Sequence, residues 1–428
     1  MRPGMEVTLE HIRELAGSSA GLGVALLVLL GLAMRLRETP APRLYIWAMI
    51  GFFLIDGLDM LDDIALEVPY PVLPLPLWLI GWELVLYPGY MICLWLFVRG
   101  LTSADPRLRP GDILHLLPLL VTLIVLLPLL TMSGDAKNQD WDFDNPENLR
   151  MILAGIGYDL ALFIWIGSLV VYGTLCVRRL TLHKKNIRRV FSDLEGKALL
   201  WLDMLVATIL ILAGIVLLDE ILALMGLPII RNGMADLVFD LGMSISMGIF
   251  ALRAVPPLPA WSQEIIAAEN EARKAADPAS IAEPDPAPSP KTAPPKQSAK
   301  TAKRYARSGL TEEDLTRLAE RLEARMSRDK LWRDSTLNLQ SLAEAAAMAP
   351  IHLSEVLNTR IGASFYDYVN RLRVEEACSL LTSTDMTVLD ISEAVGFNAK
   401  STFNASFKRL TGKTPSAWRS AGGEGQPG

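Results

Sequence analysis

The stretch GFNAKSTFNASFKRLTGKTPSAWR, residues 396–419, decides how the end of this 428-residue chain folds. Gly396 permits a left-handed turn between two short helices, and Asn398 suits the cap of the helix that follows. Val388 and Ile391 supply apolar side chains to the helix before the turn. This spacing predicts a helix-turn-helix unit.

A second copy of the layout lies about fifty residues upstream in QSLAEAAAMAPIHLSEVL, residues 340–357. Ala343 is small where the two helices cross, Ala347 lies in the turn, and Pro350 suits the first position of the next helix. Between the two units, residues 365–372 predict an amphipathic helix. The end of the chain is therefore expected to hold two helix-turn-helix units joined by a helix.

Both units resemble the DNA-binding domain of the AraC/XylS family of bacterial transcription activators. The resemblance covers about 100 residues, roughly a quarter of the chain. It implies an all-α domain whose two recognition helices enter successive major-groove segments on one face of DNA. The matching positions are Leu342-Ala343-Glu344 with Ala346, Leu353-Ser354, Gly362, Tyr368 with Arg373, Gly396-Phe397, Phe407-Lys408, Gly412, and Thr414-Pro415 to Arg419.

The resemblance also implies which side chains meet DNA. Lysine can contact guanine, asparagine can pair with adenine, glutamate can accept from cytosine, and alanine can touch a thymine methyl group. The implied base-reading positions are Ile351, Ser354 and Glu355 in the first unit, and Lys400, Ser401, Thr402, Asn404 and Ala405 in the second. The positions suited to phosphates are Lys408, Arg409, Lys413 and Arg419.

The first unit departs from the family pattern. Ala347 stands where the family usually has the turn glycine, and Ala349 where it has a capping serine. Each departure costs about 1 kcal/mol. The first unit is also poor in basic residues, whereas residues 397–423 hold five basic residues and no acidic one. We therefore expect the second unit to contribute more of the affinity for DNA.

The domain opens with a capping-box-like start at Thr311 and Asp314. A stripe of Leu315, Leu318, Leu322 and Met326 follows. The stripe is short for a coiled coil that would form a homodimer, so packing into the core of the domain is favoured over dimerisation.

The first 254 residues are dominated by apolar segments, and roughly 20 apolar residues are needed to cross a bilayer. The loops after the first, third and fifth segments hold thirteen basic residues, and the alternate loops hold three. This positive-inside bias predicts a multi-pass protein of the inner (cytoplasmic) membrane, with its N-terminus outside and its DNA-binding domain in the cytoplasm. The seven predicted spans are 19–35, 44–62, 75–98, 113–131, 151–177, 198–222 and 235–254.

Carboxylates within these spans are costly and usually face the bundle interior or water. One reading is an outward-open pocket that binds a signal such as a cation, an amine or protons. The other is that they lie at the interface or form hydrogen bonds between helices. The candidate pocket residues are Asp56, Asp59, Glu83, Asp159, Asp236 and Asp240.

The predicted architecture is all-α. It comprises a seven-helix transmembrane bundle over 1–254, a disordered Ala/Pro-rich linker over 255–308, an AraC-type domain over 309–422 and a tail over 423–428. The leading hypothesis is a membrane-anchored one-component regulator whose partners are promoter DNA, the lipid bilayer and an unknown signal ligand. The alternative is a membrane receptor or transporter whose tail anchors it to DNA or a partner without reading bases.

An enzyme is not expected, because the sequence shows no catalytic constellation or phosphate-binding glycine loop. The three cysteines and four histidines are scattered, so neither a cofactor nor a metal site is predicted.

Overall fold

The structure is a computed structural model that describes residues 9–39, 43–67, 81–103, 107–132, 149–194, 199–225, 233–255, 261–262, 265–266 and 310–422. In these ranges the chain is helical, and its one β-type contact is an isolated antiparallel bridge. The all-α prediction is confirmed for this part of the chain. Two compact units are present: Met1–Thr181 with Leu199–Pro257, and Leu182–Ala198 with Leu258–Gly428.

The first compact unit consists of long apolar helices. They are α1 (Leu9–Glu38), α2 (Leu44–Glu67), α3 (Glu83–Thr102), α4 (Leu117–Leu130), α5 (Leu149–Ile187, whose end belongs to the second compact unit), α6 (Leu200–Leu224) and α7 (Gly233–Arg253). Helix α1 packs against α2 and α7, and α2 packs against α3. Arg35 of α1 donates to the carbonyl oxygens of Ala251, Leu252 and Ala254 at 2.7–2.9 Å, which satisfies acceptors at the end of α7.

Much of the apolar surface of the first compact unit faces outward. Leu27 on α1 is 70% exposed and Phe163 on α5 is 68% exposed. Monomeric proteins in water rarely leave such continuous apolar surface uncovered. Within the residues that the structure describes, five helical segments are long and apolar enough to cross a membrane: Leu15–Glu38, Leu44–Ile64, Glu83–Thr102, Pro110–Leu130 and Leu149–Ile187.

The prediction of seven spans is corrected to five within the described residues. Helices α6 and α7 do occupy the last two predicted spans. Their described apolar stretches, however, are Trp201–Ile211 and Leu241–Arg253. The two helices themselves are 25 and 21 residues long, so the difference from the prediction concerns their described apolar stretches and not the lengths of the helices.

The first helix of the C-terminal region begins after Thr311, as the predicted capping box requires. Thr311 accepts from the backbone amide of Asp314, and Asp314 accepts from that of Thr311. The apolar stripe from Leu315 to Met326 is buried, which confirms core packing. The helices are α8 (Glu312–Asp329), α9 (Leu339–Ala345), α10 (Pro350–Val356), α11 (Phe365–Ser383), α12 (Val388–Ala394), α13 (Lys400–Thr411) and α14 (Pro415–Ser420).

Two apolar cores lie along α11, one for each helix-turn-helix unit. The first core also takes in Phe191 and Ile266 from outside the C-terminal region. The predicted linker 255–308 lies mostly outside the described residues, but Trp261 and Ile265 within it are helical and pack against this core. The second compact unit is therefore larger than the predicted domain 309–422.

Candidate DNA-binding site

The first helix-turn-helix unit is formed by α9 and α10. Asn338 caps α9 by accepting from the amide of Ser341 at 3.1 Å. The turn closes with the amide of Met348 donating to the carbonyl of Ala343 at 2.9 Å. Ala347 in this turn has a φ of 50°, a left-handed conformation that favours glycine. Ala347, which replaces the glycine usual in the family, therefore has a strained backbone conformation.

The second helix-turn-helix unit, formed by α12 and α13, repeats this geometry. Thr387 caps α12 in a capping box with Asp390, and the amide of Phe397 donates to the carbonyl of Ser392 at 3.0 Å. Gly396 has a φ of 98°, and a Cβ there would lie 2.7 Å from two backbone carbonyl oxygens. Glycine is therefore required at this turn by conformation and by space.

Helix α13 is fixed by a row of aromatic contacts in the second core. The rings of Phe397 and Phe403 are 5.3 Å apart, those of Phe403 and Phe407 are 5.6 Å apart, and those of Phe407 and Trp418 are 5.9 Å apart, all edge to face. The buried face holds Phe403, Ser406 and Phe407. The opposite face of α13 is left open to solvent.

The structure exposes much of this face. Lys400, Ser401 and Ala405 are exposed, whereas Thr402 and Asn404 are half-buried. All five predicted positions lie on one 12-residue helix. They therefore form a contiguous strip with a lysine at its N-terminal end.

The four predicted phosphate-binding residues are placed differently from one another. Lys408 is exposed, Arg409 binds Asp367 at 2.7 Å, and Lys413 lies 6.0 Å from the ring centre of Trp418. Arg419 donates to the carbonyl oxygens of Leu381 and Met386. Arg419 therefore connects α14 to the end of α11, where carbonyl groups without a partner in the helix need hydrogen-bond donors.

The residues of the first helix-turn-helix unit are less accessible. Ile351 is half-buried, and Ser354 and Glu355 are each 3% exposed. In this arrangement Ser354 and Glu355 do not present an open face. Asn398 also differs from its prediction: Ala399 is the N-cap of α13, and the Asn398 amide donates to Asp193 at 2.8 Å.

Sequence reasoning missed that Arg373 is buried. Its guanidinium donates to the carbonyls of Trp332 at 2.7 Å and Asp334 at 2.8 Å, and lies 5.4 Å from the Phe397 ring centre. Burial lowers the pKa of Arg373 to about 10, at which it remains charged near neutral pH. This residue connects α11 to the turn of the second helix-turn-helix unit.

Glu376 on α11 was also missed. Its carboxylate accepts from Arg333, from the indole nitrogen of Trp332 at 2.7 Å and from Lys330 at 3.0 Å. These hydrogen bonds, that from Arg333 foremost, lower the pKa of Glu376 to about 2. The carbonyls of Trp332 and Arg333 are the two that abut Gly396.

The structure describes the side chains of four of the six residues of the predicted signal pocket. Asp56 is buried and accepts from the hydroxyl of Ser244 at 3.2 Å. Glu83 on α3 interacts electrostatically with Asp62 and Asp59 of α2. Asp159 is exposed on α5, and the side chains of Asp236 and Asp240 lie outside the described residues.

Comparison with known proteins agrees with this geometry. Residues 342–421 match the family described as "Helix-turn-helix domain". An uncharacterized HTH-type transcriptional regulator of Staphylococcus aureus is 35% identical over 83 residues, 19% of this chain and 11% of the relative. The uncharacterized HTH-type transcriptional regulator YtdP of Bacillus subtilis is 37% identical over 86 residues, 20% of this chain and 11% of the relative.

The chain therefore spans about a tenth of the length of these curated relatives. A solved structure, the C-terminal domain of AraT, a response regulator from Geobacillus stearothermophilus, is 29% identical. It covers 25% of this chain and 84% of its own, with a TM-score of 0.22. The C-terminal domain is a helix-turn-helix domain of the AraC type, as its residues predict.

Proposed function

We propose that this protein is a membrane-held, one-component transcription regulator that binds specific promoter DNA and receives its signal through the apolar helices of the first compact unit. The observation that carries the proposal is α13, which presents Lys400, Ser401 and Ala405 from a helix-turn-helix backbone. The relatives that match the same region are named transcriptional regulators, which supports this assignment.

Recognition of bases is assigned chiefly to α13. Lys400 contacts guanine, Asn404 pairs with adenine, and Ala405 touches a thymine methyl group, while Ser401 and Thr402 accommodate several bases. These side chains share one helix, so they read adjacent base pairs in one major-groove segment. Lys408, Arg409 and Lys413 supply phosphate contacts, which fix the register of α13 without reading sequence.

The first helix-turn-helix unit has a smaller part in recognition. Ile351 is the most accessible of its three predicted positions, and an apolar side chain offers only a contact to a thymine methyl group. Contacts from Ser354 and Glu355 require those side chains to become exposed first, since each is 3% exposed.

Attachment to the membrane is supported by the five apolar helices and by their outward-facing apolar residues. The five spans within the described residues are an odd number, so the start of α1 and the loop after α5 are assigned to opposite sides of the bilayer. The basic loop after α5, residues 188–194, packs in the same compact unit as the DNA-binding domain. Both are therefore assigned to the cytoplasm, as the positive-inside bias predicts.

A footprint tests the proposed function directly. The full-length protein in lipid nanodiscs is tested on the DNA upstream of its own gene across a salt series. We expect two protected patches one helical turn apart, weakening as salt rises because phosphate contacts release counterions. Lys400→Ala with Asn404→Ala should weaken binding by about 10- to 100-fold and abolish output from a promoter reporter.

Arg317→Ala is the matched control, because it removes a cation that is 76% exposed on α8, outside both helix-turn-helix units. It should leave the footprint and the reporter unchanged. Full output from the Lys400 and Asn404 double variant would refute base reading by α13. The tail would then be an anchor on a receptor or transporter.

Signal input is assigned to Asp56, Asp59 and Glu83, which is supported by the spacing of Asp56 and Asp59 on α2 and by the electrostatic interaction of Asp59 with Glu83. Carboxylates within a bundle are suited to a cation, an amine or protons. Asp59→Asn with Glu83→Gln should shift the dependence of reporter output on external cations or pH. DNA affinity measured in nanodiscs should not change. An unaltered response in the double variant would remove this site from the proposal.

A further inference from the structure

Residues 188–193, here called the strap, follow α5 directly and lie on the DNA-binding domain. The carbonyl of Val190 accepts from the amide of Leu339, and that of Arg188 accepts from the amide of Tyr366, both at 2.9 Å. Phe191 forms an antiparallel bridge with Asn338. The strap is thus paired through its backbone to the starts of α9 and α11.

The side chains of the strap are part of the first core. Val190, Phe191 and Ser192 are 0%, 6% and 1% exposed. The Ser192 hydroxyl donates to the carbonyl of Leu337, and its carbonyl accepts from Asn370 at 3.4 Å. Three consecutive buried residues with satisfied polar atoms are typical of a built contact, because a chance surface contact leaves such side chains solvated.

The two ends of the strap flank α13. At one end, the Asp193 carboxylate accepts from Asn398, two residues before α13 begins, at 2.8 Å. At the other end, Arg188 lies 5.6 Å from the ring centre of Tyr366, and Arg409 of α13 lies 5.8 Å from the same centre. The strap therefore shares its partners with the helix assigned to read DNA.

We infer that the strap is an autoinhibitory contact: while it is docked, the domain binds DNA weakly, and its release raises the affinity. This inference rests on the proposed DNA-binding function. Asp193 places a negative charge at the N-terminal end of α13, where DNA would bring its phosphates, and like charges brought together oppose binding. Tyr366, whose ring lies beside Arg409, is held at the same time by the strap.

The position of the strap in the chain gives it a route to the signal. It continues α5 without a break and reaches α6 through the few residues before Leu200. A shift of α5 can therefore reach the strap through the next peptide bond, and a shift of α6 can reach it through six residues of chain. A second short connection runs from the end of α7 at Arg253 to Trp261 and Ile266, which pack against the same core, so the strap is one of two short links along the chain between the apolar helices and this domain.

The test is to lock the strap with a disulfide. Phe191 and Asn338 lie opposite each other in the antiparallel bridge as a non-hydrogen-bonded pair, because the backbone hydrogen bond joins the neighbouring residues Val190 and Leu339. The Cα atoms of such a pair are about 4.5 Å apart. That spacing is within the range of a disulfide. Full-length Phe191→Cys with Asn338→Cys, in nanodiscs, should bind the footprinted DNA about tenfold more weakly when oxidised than when reduced. The wild-type chain should bind equally under both conditions.

A release variant keeps the test valid if the cysteine pair folds poorly. Asp193→Asn removes the charge and retains an acceptor for Asn398, and it should bind DNA about threefold to tenfold more tightly than wild type. Asn186→Ala, on the same segment before the strap, should not change the affinity. Equal binding by the oxidised and reduced pair, or no gain in Asp193→Asn, overturns the inference. Absence of binding by wild type and Asp193→Asn alike overturns the proposed function as well.

Discussion

The two helix-turn-helix units share a backbone but differ in what they expose. Both are capped at the first helix by a side-chain oxygen, and both close the turn with an equivalent hydrogen bond of 2.9–3.0 Å. The first unit has Ala347 at its left-handed turn position and buries Ser354 and Glu355 on its second helix. The second has Gly396 there and leaves Lys400 and Ser401 exposed.

This difference separates the requirements of the fold from those of recognition. Capping, the turn and the apolar contacts between helices are kept in both units, so they are what the fold demands. Exposed polar side chains are concentrated on α13, and the strap packs into the core of the first unit. One unit is thus suited to docking within the chain and the other to DNA.

The largest expected effect breaks the second unit at its turn. Gly396→Ala forces a Cβ against the carbonyls of Trp332 and Arg333 at a φ of 98°. We expect the free energy of unfolding to fall by about 3 kcal/mol or more, because the backbone strain and the clash with fixed backbone atoms add together. Hydrogen exchange of the full-length protein should show lost protection in α12 and α13, with α9 and α10 less affected.

Gly412→Ala is the matched control. Gly412 has a φ of 73°, and a Cβ added there would meet nothing within 4 Å, so only the conformational cost of about 1 kcal/mol applies. Equal loss of protection in the two variants would mean that space around Gly396 does not matter and that the turn relaxes.

A smaller effect tests the support behind that turn. Glu376 binds Trp332 and Arg333, and its pKa of about 2 lies below the ordinary 4.5. Because the folded-state pKa is depressed, its stabilisation is present above about pH 4.5 and is lost as the pH falls towards 2. Glu376→Gln should cost about 1–2 kcal/mol at pH 7, less than the full shift implies because its partners are partly solvated.

The stability of wild type and of Glu376→Gln is measured by urea denaturation at pH 7 and pH 3, with hydrogen exchange of α11, detected by mass spectrometry, as the signal. The difference between wild type and Glu376→Gln should shrink at the lower pH. A difference that is constant across this range would show that the carboxylate charge is not what stabilises the turn.

Local features of the second compact unit were predictable from sequence. The capping box at Thr311, the buried stripe ending at Met326 and the left-handed turn at Gly396 each depend on residues close together in the chain. The AraC-type resemblance also gave the order of the helices correctly. Such patterns are readable because period and capping chemistry act over one or two helical turns.

Long-range contacts were not predictable in the same way. Asn398 was assigned to cap α13, but its partner is Asp193, more than two hundred residues earlier in the chain. Arg419 was assigned to phosphate and binds carbonyls of α11 and the loop after it. One signal for the strap was present: Val190 and Phe191 are apolar residues in an otherwise basic loop.

The smallest effect sharpens the comparison from the side of the first helix-turn-helix unit. Ala347→Gly removes the cost of placing alanine at a φ of 50°. The free energy of unfolding should rise by no more than about 1 kcal/mol, because glycine loses more chain entropy on folding and this offsets part of the relief. Ala345→Gly, two residues earlier at the end of α9, should instead destabilise by up to about 1 kcal/mol. The urea midpoint of α9 and α10, read by hydrogen exchange, measures both.

Destabilisation by both would contradict strain at Ala347. A gain in Ala347→Gly with unchanged DNA affinity would show that the first unit carries its strain without using it to read DNA, whereas a gain with tighter binding would show that this unit reads bases once its turn is relaxed.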